Sequence, residues 1–422
     1  MTAGFNRVDG ALSCEGVSLE RLASDVGTPA YVYSASVVRD RFARLDSALE
    51  QLPHRIHYTL KANSNAGVLR VLRELGAGVD VVSGGELYRA LRAGFTGSDI
   101  IFGGVGKSER EIREALAAGV LLINAESAAE VRLIDRVAGE LGVRGAVGLR
   151  VNPEVTVDSS HRYIKTGEKG AKFGVPFDEV LEVAHLVVSL PNVDLVGLDM
   201  HIGSQLFRLD PYLDGTERLV GLLAQLRADG VTSIRYLDIG GGLGVAYDGE
   251  ATPDLSRFAS ALVTRVLPTG LTLLMEPGRF IVGNAGMLLT RVLYRKHSGG
   301  RDFLITDAGM TELIRPSHYD AYHRIEAVTP QGERMTADVV GPVCESGDFL
   351  ALEREMDAAE PGDLLAVHDV GAYGYVMASN YNTRARGVEV LVDGDRYAVV
   401  TARERYEDLV RLEQLDPEWK EG

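Results

Sequence analysis

Lys61, in the run IHYTLKANSN at residues 56–65, has the placement of a working amine. Ile56 to Leu60 are β-branched, aromatic or aliphatic and predict a strand. Ala62 to Asn65 are small and polar, and they lead into the helical spacing Val68-Leu69, Val71-Leu72, Leu75. An ammonium placed where a buried strand opens into a loop is costly to desolvate unless it is paired or used chemically. The competing reading is a strand-end lysine that snorkels to water. HIGSQ at 201–205 and LDIGGGLGVAY at 237–247 set glycines behind predicted strands. There backbone N–H groups can close on an anion without Cβ obstruction, with Ser204 as an added hydroxyl donor. A tight strand-to-helix connection would use the same glycines. No GxxxxGK(S/T) nucleotide loop is present, so a smaller phosphorylated cofactor is favoured. In EPGR at 276–279, Glu276 could cap a helix or hydrogen-bond a ring nitrogen, and Arg279 is a planar donor for phosphate or carboxylate. Cys344, in VVGPVCESGDF, is followed by polar, loop-forming residues, which tilts it from a small core hydrophobe toward a displayed thiol. The flat ring of His201 could stack on an aromatic cofactor, and Tyr373 lies between glycines in GAYGY, where backbone can approach a ligand.

The elements that must position these groups are short apolar segments at 56–60, 79–82, 100–103, 120–124, 146–151, 195–201, 235–239 and 271–275. They alternate with amphipathic stretches such as Gly85–Ala93, Glu109–Ala118 and Ala128–Leu141. Eight strands alternating with helices predict a parallel (β/α)8 TIM-type barrel, with an open doubly wound sheet as the alternative. A barrel gathers its chemistry at the C-terminal ends of its strands. Lys61, the run Asp80 to Ser83, Asn152, His201, Gly240 to Gly242 and Glu276 each follow or close one. Beyond about residue 285 the pattern turns β-rich, which predicts a separate domain, and the YVYS segment at 31–34 can pair with it.

Composition bounds the partners. The chain has 422 residues, 45% hydrophobic and 25% charged, with a formal net charge of −16. That is an ordinary soluble enzyme, and with no basic block it argues against nucleic acid or an anionic membrane. The N-terminus lacks the apolar core of a signal peptide, and no run reaches the ~18 apolar residues of a membrane span. Two cysteines, Cys14 and Cys344, predict a reduced, cytoplasmic protein. No metal is expected.

Taken in order, YTLKAN, GVDVVSGGEL, HIGSQ, LDIGGGLG, EPGR, CESGDFL and GAYGYVMASNYN closely resemble the diaminopimelate decarboxylases, fold-type III pyridoxal-phosphate enzymes related to alanine racemase. The similarity runs from about residue 30 to 400. It implies residues 1–35 joining the β domain, a cofactor-binding barrel at 36–285 and a C-terminal β domain at 286–422. By resemblance, Lys61 forms the Schiff base with pyridoxal 5'-phosphate, and His201 stacks on its ring. Ser204, Gly241 and the segment Glu276, Pro277, Gly278 and Arg279 hold phosphate and ring, with Tyr373 beside them. Cys344 is the thiol that reprotonates the substrate carbon, supplied by the neighbouring subunit of a homodimer with shared active sites.

The implied reaction is decarboxylation of meso-2,6-diaminopimelate to L-lysine and carbon dioxide, the last step of lysine biosynthesis by the diaminopimelate route. A distal zwitterion needs a cation and an anion: Arg279 and Arg315 can supply the first, Glu345 the second, with Tyr319 and Tyr373 as hydroxyl donors. For Arg315 and Tyr319 alone, a surface arginine and a packing tyrosine are equally good readings. Rivals are decarboxylation of another or a carrier-bound amino acid, a racemase, and a silent cofactor-binding protein.

Overall fold

Eight parallel strands close into a barrel: β1 (His54–Thr59), β2 (Gly78–Val81), β3 (Ile100–Phe102), β4 (Leu122–Ala125), β5 (Gly145–Asn152), β6 (Val193–Asp199), β7 (Tyr236–Asp238) and β8 (Thr272–Met275). Each pairs with the next, and β8 pairs back onto β1. The computed structural model describes residues 4–155, 170–250 and 252–420.

Each strand carries at least one Val, Ile or Leu and is largely buried, the pattern of strands covered on both faces. Inside the barrel Ile101, Leu122, Val196 and Leu274 form a dry cluster, each burial contributing about 1.5–3 kcal/mol. Toward the carboxyl ends this aliphatic filling gives way to acid: Asp80, Asp199, Asp238 and, one residue past β8, Glu276 are all buried. The helices start where the sequence offers caps. Asn65, Ser83, Ser108 and Ser127 accept from the first-turn N–H groups of Ala66–Glu74, Gly84–Arg92, Glu109–Ala118 and Ala128–Leu141. These N-termini therefore lie at the same end of the barrel as the acidic layer. No helix among the described residues is long and apolar enough to cross a membrane.

The barrel unit comprises Ala35–Ala285 together with Gly371–Tyr373. The short distant segment is held by Tyr373 N–H donating to Ala62 O at 2.8 Å and by Asn63 Nδ2 donating to Gly371 O at 3.0 Å. A second, strand-rich unit comprises Met1–Ser34, Gly286–Val370 and Gly374–Gly422. Its interior strand, Ala30–Ser34, pairs antiparallel with Gly286–Ser298 and parallel with Val388–Asp393. All five residues of that strand are buried, as an interior position in a sheet requires. Phe5, Leu19, Val32, Met287 and Val390 belong to the core of this unit.

Candidate active site

Lys61 lies two residues beyond β1, and its loop is built by asparagine chemistry. Asn63 Oδ1 accepts from Asn65 N–H at 2.9 Å, Asn65 Oδ1 accepts from Gly67 N–H at 2.8 Å, and Tyr58 Oη donates to Asn63 O at 2.9 Å. The EPGR segment packs against this loop so closely that a Cβ at Gly278 would fall 2.5 Å from Thr59 Cγ2, so only glycine fits there. Lys61 Nζ sits 3.7 Å from Asp80 Oδ2 at the end of β2. Burial opposes charge on this ammonium, but Asp80, Tyr373 and Glu276 outweigh it and push its pKa up.

The carboxylates around it are in excess. One oxygen each of Asp199, Asp238 and Glu276 lies within 4.8 Å of the other two. Burial raises Glu276 well above the usual carboxylate range, and Asp238, Asp80 and Asp199 raise it further. Asp238 rises for the same reasons, burial first and then Asp199, and Asp199 is pushed up to about 7. Among the described residues, the cation beside Lys61 is Arg150 of β5, 3.1 Å from Glu126 and 4.0 Å from Asp199. Among the described residues Asp80 Oδ2 and Asp199 Oδ1 are buried without a hydrogen-bond partner, while Asp238 pairs with Glu276 through a shared hydrogen bond. Such atoms are costly, so the layer is made for a further cationic or proton-bearing group. A protonated pyridine nitrogen meets that need.

The opposite side of the site is built by loops after β6, β7 and β8. Arg279, 8% exposed, donates from Nη1 to Tyr247 Oη at 2.7 Å and from Nη2 to Ser204 Oγ at 3.3 Å. Its guanidinium lies 4.8 Å over the ring of Tyr373, whose φ is +58°. Gly242, at φ +107°, admits no side chain, since its Cβ would meet Gly203 O at 2.2 Å. The glycine run is less open to an anion than its sequence suggests. Gly240 N–H donates to Asp238 Oδ1 at 2.9 Å and Gly241 N–H to His201 Nδ1 at 3.2 Å. That second bond places an acceptor nitrogen on His201, and burial followed by Lys61 and Arg150 keeps the ring neutral.

Lys61, His201, Ser204, Gly241, Glu276, Pro277, Gly278, Arg279 and Tyr373 thus all belong to the barrel unit. Arg315, Tyr319, Cys344 and Glu345 belong to the strand-rich unit. There Arg315 opens the helix Arg315–Tyr319 and is buried. Cys344 and Glu345 are exposed on a loop pinned by Asp348, which accepts from Met310 N–H and Val343 N–H at 2.6 Å each. In the segment at 161–174, His161 and Lys165 lie outside the described residues, whereas Lys172 Nζ lies 5.1 Å from the Phe173 ring centroid. Residues that sequence reasoning passed over are Glu86, Glu126, Arg150, Asp199 and Asp238, and Asp80 was named without a role. Glu86, pushed up to about 7 chiefly by burial, accepts from Val82 N–H at 2.8 Å. The available signal was the acidic last residue of β6 and of β7.

Comparison with known proteins agrees with this chemistry. A family model described as the pyridoxal-binding domain of pyridoxal-dependent decarboxylases matches residues 35–283. The diaminopimelate decarboxylase of Pseudomonas aeruginosa is 48% identical over 98% of this chain and 99% of its own. The Helicobacter pylori diaminopimelate decarboxylase crystallised with L-lysine is 40% identical, covers 93% of this chain and 98% of its own, and has a TM-score of 0.90. The M. jannaschii enzyme in co-complex with L-lysine is 33% identical over 99% of both chains, with a TM-score of 0.93. The chain belongs to the diaminopimelate decarboxylases, a family of pyridoxal-dependent decarboxylases.

Proposed function

We propose that this enzyme decarboxylates meso-2,6-diaminopimelate at its D centre, using pyridoxal 5'-phosphate and releasing L-lysine and carbon dioxide. The carrying observation is the buried acidic layer around Glu276, with Lys61 at its edge. Pyridoxal phosphate supplies an electron sink for the carbanion left when carbon dioxide departs. Glu276 would pair with the cofactor's ring nitrogen and keep that sink strong. Lys61 would be the amine that holds the cofactor, oriented by Asp80. His201 offers a neutral face to the ring, fixed by its bond from Gly241. Ser204 and Arg279 would hold the phosphate beside the Gly242 turn, while the Gly241 N–H is taken by His201.

In the strand-rich unit, Arg315 and Tyr319 take the distal carboxylate and Glu345 the distal ammonium. A buried arginine left without its carboxylate is costly, which rejects lysine and ornithine as substrates. Cys344 protonates the product carbon, and its exposed loop suits delivery to the site of a second copy, so the working unit is a homodimer with shared active sites. The net charge of −16 and two free thiols fit a cytoplasmic enzyme of lysine biosynthesis with no nucleic-acid partner.

The test is incubation of the purified protein and pyridoxal phosphate with meso-diaminopimelate, lysine and ornithine separately. Lysine and carbon dioxide should appear only from the first; carbon dioxide from lysine or ornithine instead would sink the substrate assignment. Mixing Lys61→Ala and Cys344→Ala proteins should restore part of the activity through hybrid dimers. No recovery after confirmed subunit exchange would count against sharing.

A further inference from the structure

We infer that His323 is a positioning residue for substrate selection: it holds the Arg315 guanidinium from behind and sets the plane in which Arg315 meets the distal carboxylate. This rests on the reading that Arg315 is the carboxylate partner. The geometry lies wholly within the strand-rich unit. Arg315 is 6% exposed and His323 is fully buried. Arg315 Nη1–H donates to His323 Nε2 at 3.1 Å, and His323 Nδ1–H donates to His368 O at 2.9 Å. An arginine offers only donors, so the ring nitrogen facing it must be an acceptor. His323 is therefore neutral and carries its proton on Nδ1, a state fixed by the carbonyl on its far side.

The ring is itself held by the sheet. Arg354 Nη1 donates to His323 O at 2.7 Å, His368 N–H donates to Arg324 O at 2.8 Å, and Ile325 pairs with Val367. The chain returns His323 to Arg315 by ending the helix Arg315–Tyr319 at Asp320, whose φ is +51°. Arginine loses much rotamer freedom when it binds in one geometry. A side chain already tied through Nη1 loses less on binding and presents its fork in a set plane.

Asparagine and glutamine separate the two bonds of the ring. His323→Gln can place an oxygen near the Nε2 position and keep the acceptor for Arg315. His323→Asn can keep the donor for His368 O but is too short to reach Arg315. We expect His323→Asn and His323→Leu to raise KM for meso-diaminopimelate about tenfold, the value of one charged hydrogen bond, with kcat within about twofold, and His323→Gln to stay near wild type. Calorimetric binding gives a readout independent of turnover. L-lysine carries the carboxylate assigned to Arg315 and should bind about tenfold more weakly to His323→Asn, whereas cadaverine, which has no carboxylate, should bind as before.

Arg315→Gln separates the two claims. If it leaves KM and L-lysine affinity unchanged, Arg315 is not the carboxylate partner and the underlying reading fails. If Arg315→Gln weakens both but His323→Asn weakens neither, or lowers kcat or cadaverine affinity instead, the positioning role of His323 is overturned. Should His323→Leu fail to fold, the contrast between His323→Asn and His323→Gln decides the matter alone.

Discussion

In the strand-rich unit Glu326 lies 2.6 Å from Arg7 Nη2, 2.7 Å from Arg324 Nη1 and 2.6 Å from His368 Nε2. Burial works against its charge, but His368, Arg7 and Arg324 outweigh burial and hold its pKa at about 2. Glu326 is half-buried; at the carboxyl end of the barrel Glu276 is buried, its neighbours are Asp238, Asp80 and Asp199, and its pKa is pushed far up. The same side chain is driven in opposite directions by its company. Two arginines and a histidine ring surround Glu326, so its charge is satisfied within the chain as it folds. Around Glu276 carboxylates outnumber Lys61 and Arg150, and the balance is restored by a group from outside. A structural ion pair and a cofactor site are thus told apart by what each leaves unpaired.

That contrast can be broken at either end. Replacing Lys61 with Ala should remove the borohydride-trappable cofactor adduct and lower kcat at least about a thousandfold. It should also lower the unfolding midpoint of the apoprotein, because Asp80 loses its ion-pair partner. An adduct persisting on another lysine would move the anchor elsewhere. Glu276→Gln should cost about a hundredfold in kcat, measured at saturating cofactor, because the ring nitrogen loses its charged partner. The same change relieves like-charge repulsion, so the apoprotein should be as stable as wild type or more so. Glu326→Gln should do the reverse, lowering stability by about 2–3 kcal/mol in denaturant titration with kcat little changed. If Glu276→Gln destabilised the apoprotein as much as Glu326→Gln, the acidic layer would be structural and the contrast false.

The barrel was legible in the chain because its strands, buried on both faces, read as apolar runs separated by amphipathic helices. Lys61 and Glu276 stood out as charges at strand exits, and Gly278 was readable in EPGR though its packing against Thr59 was not. Asp199 and Asp238 were hidden for a physical reason. Each is a single acid at the end of an ordinary strand, and only the parallel pairing of β6, β7 and β8 brings them to Glu276. Arg150 was concealed inside the apolar run of β5. The N–H groups of Gly240 and Gly241 looked available from spacing alone, yet the fold commits them to Asp238 and His201. His323 escaped notice because a buried histidine carries no sequence mark of which nitrogen accepts.

The finest test of the contrast is the pH dependence of apoprotein stability. Glu326, with its folded pKa at about 2, lies below its unfolded value, so its contribution is present above about pH 4.5 and is lost as pH falls toward 2. Glu86 runs the other way. Its folded pKa of about 7 exceeds the unfolded value, so the folded state binds the extra proton, and the stability this contributes is complete below about pH 4.5 and lost as pH rises through 7. Asp199 adds to that second window with the same sign. Thermal unfolding of the apoprotein from pH 4.5 to 8 should therefore show a decline that Glu86→Gln makes shallower, by on the order of 1–2 kcal/mol after allowance for solvent screening. Glu326→Gln should leave that interval unchanged in slope and flatten the fall below pH 4.5 instead. Saturation with pyridoxal phosphate should alter the upper window alone, since only the barrel layer receives the new charge. An upper window indifferent to cofactor would mean that the raised carboxylates serve the fold and not the site.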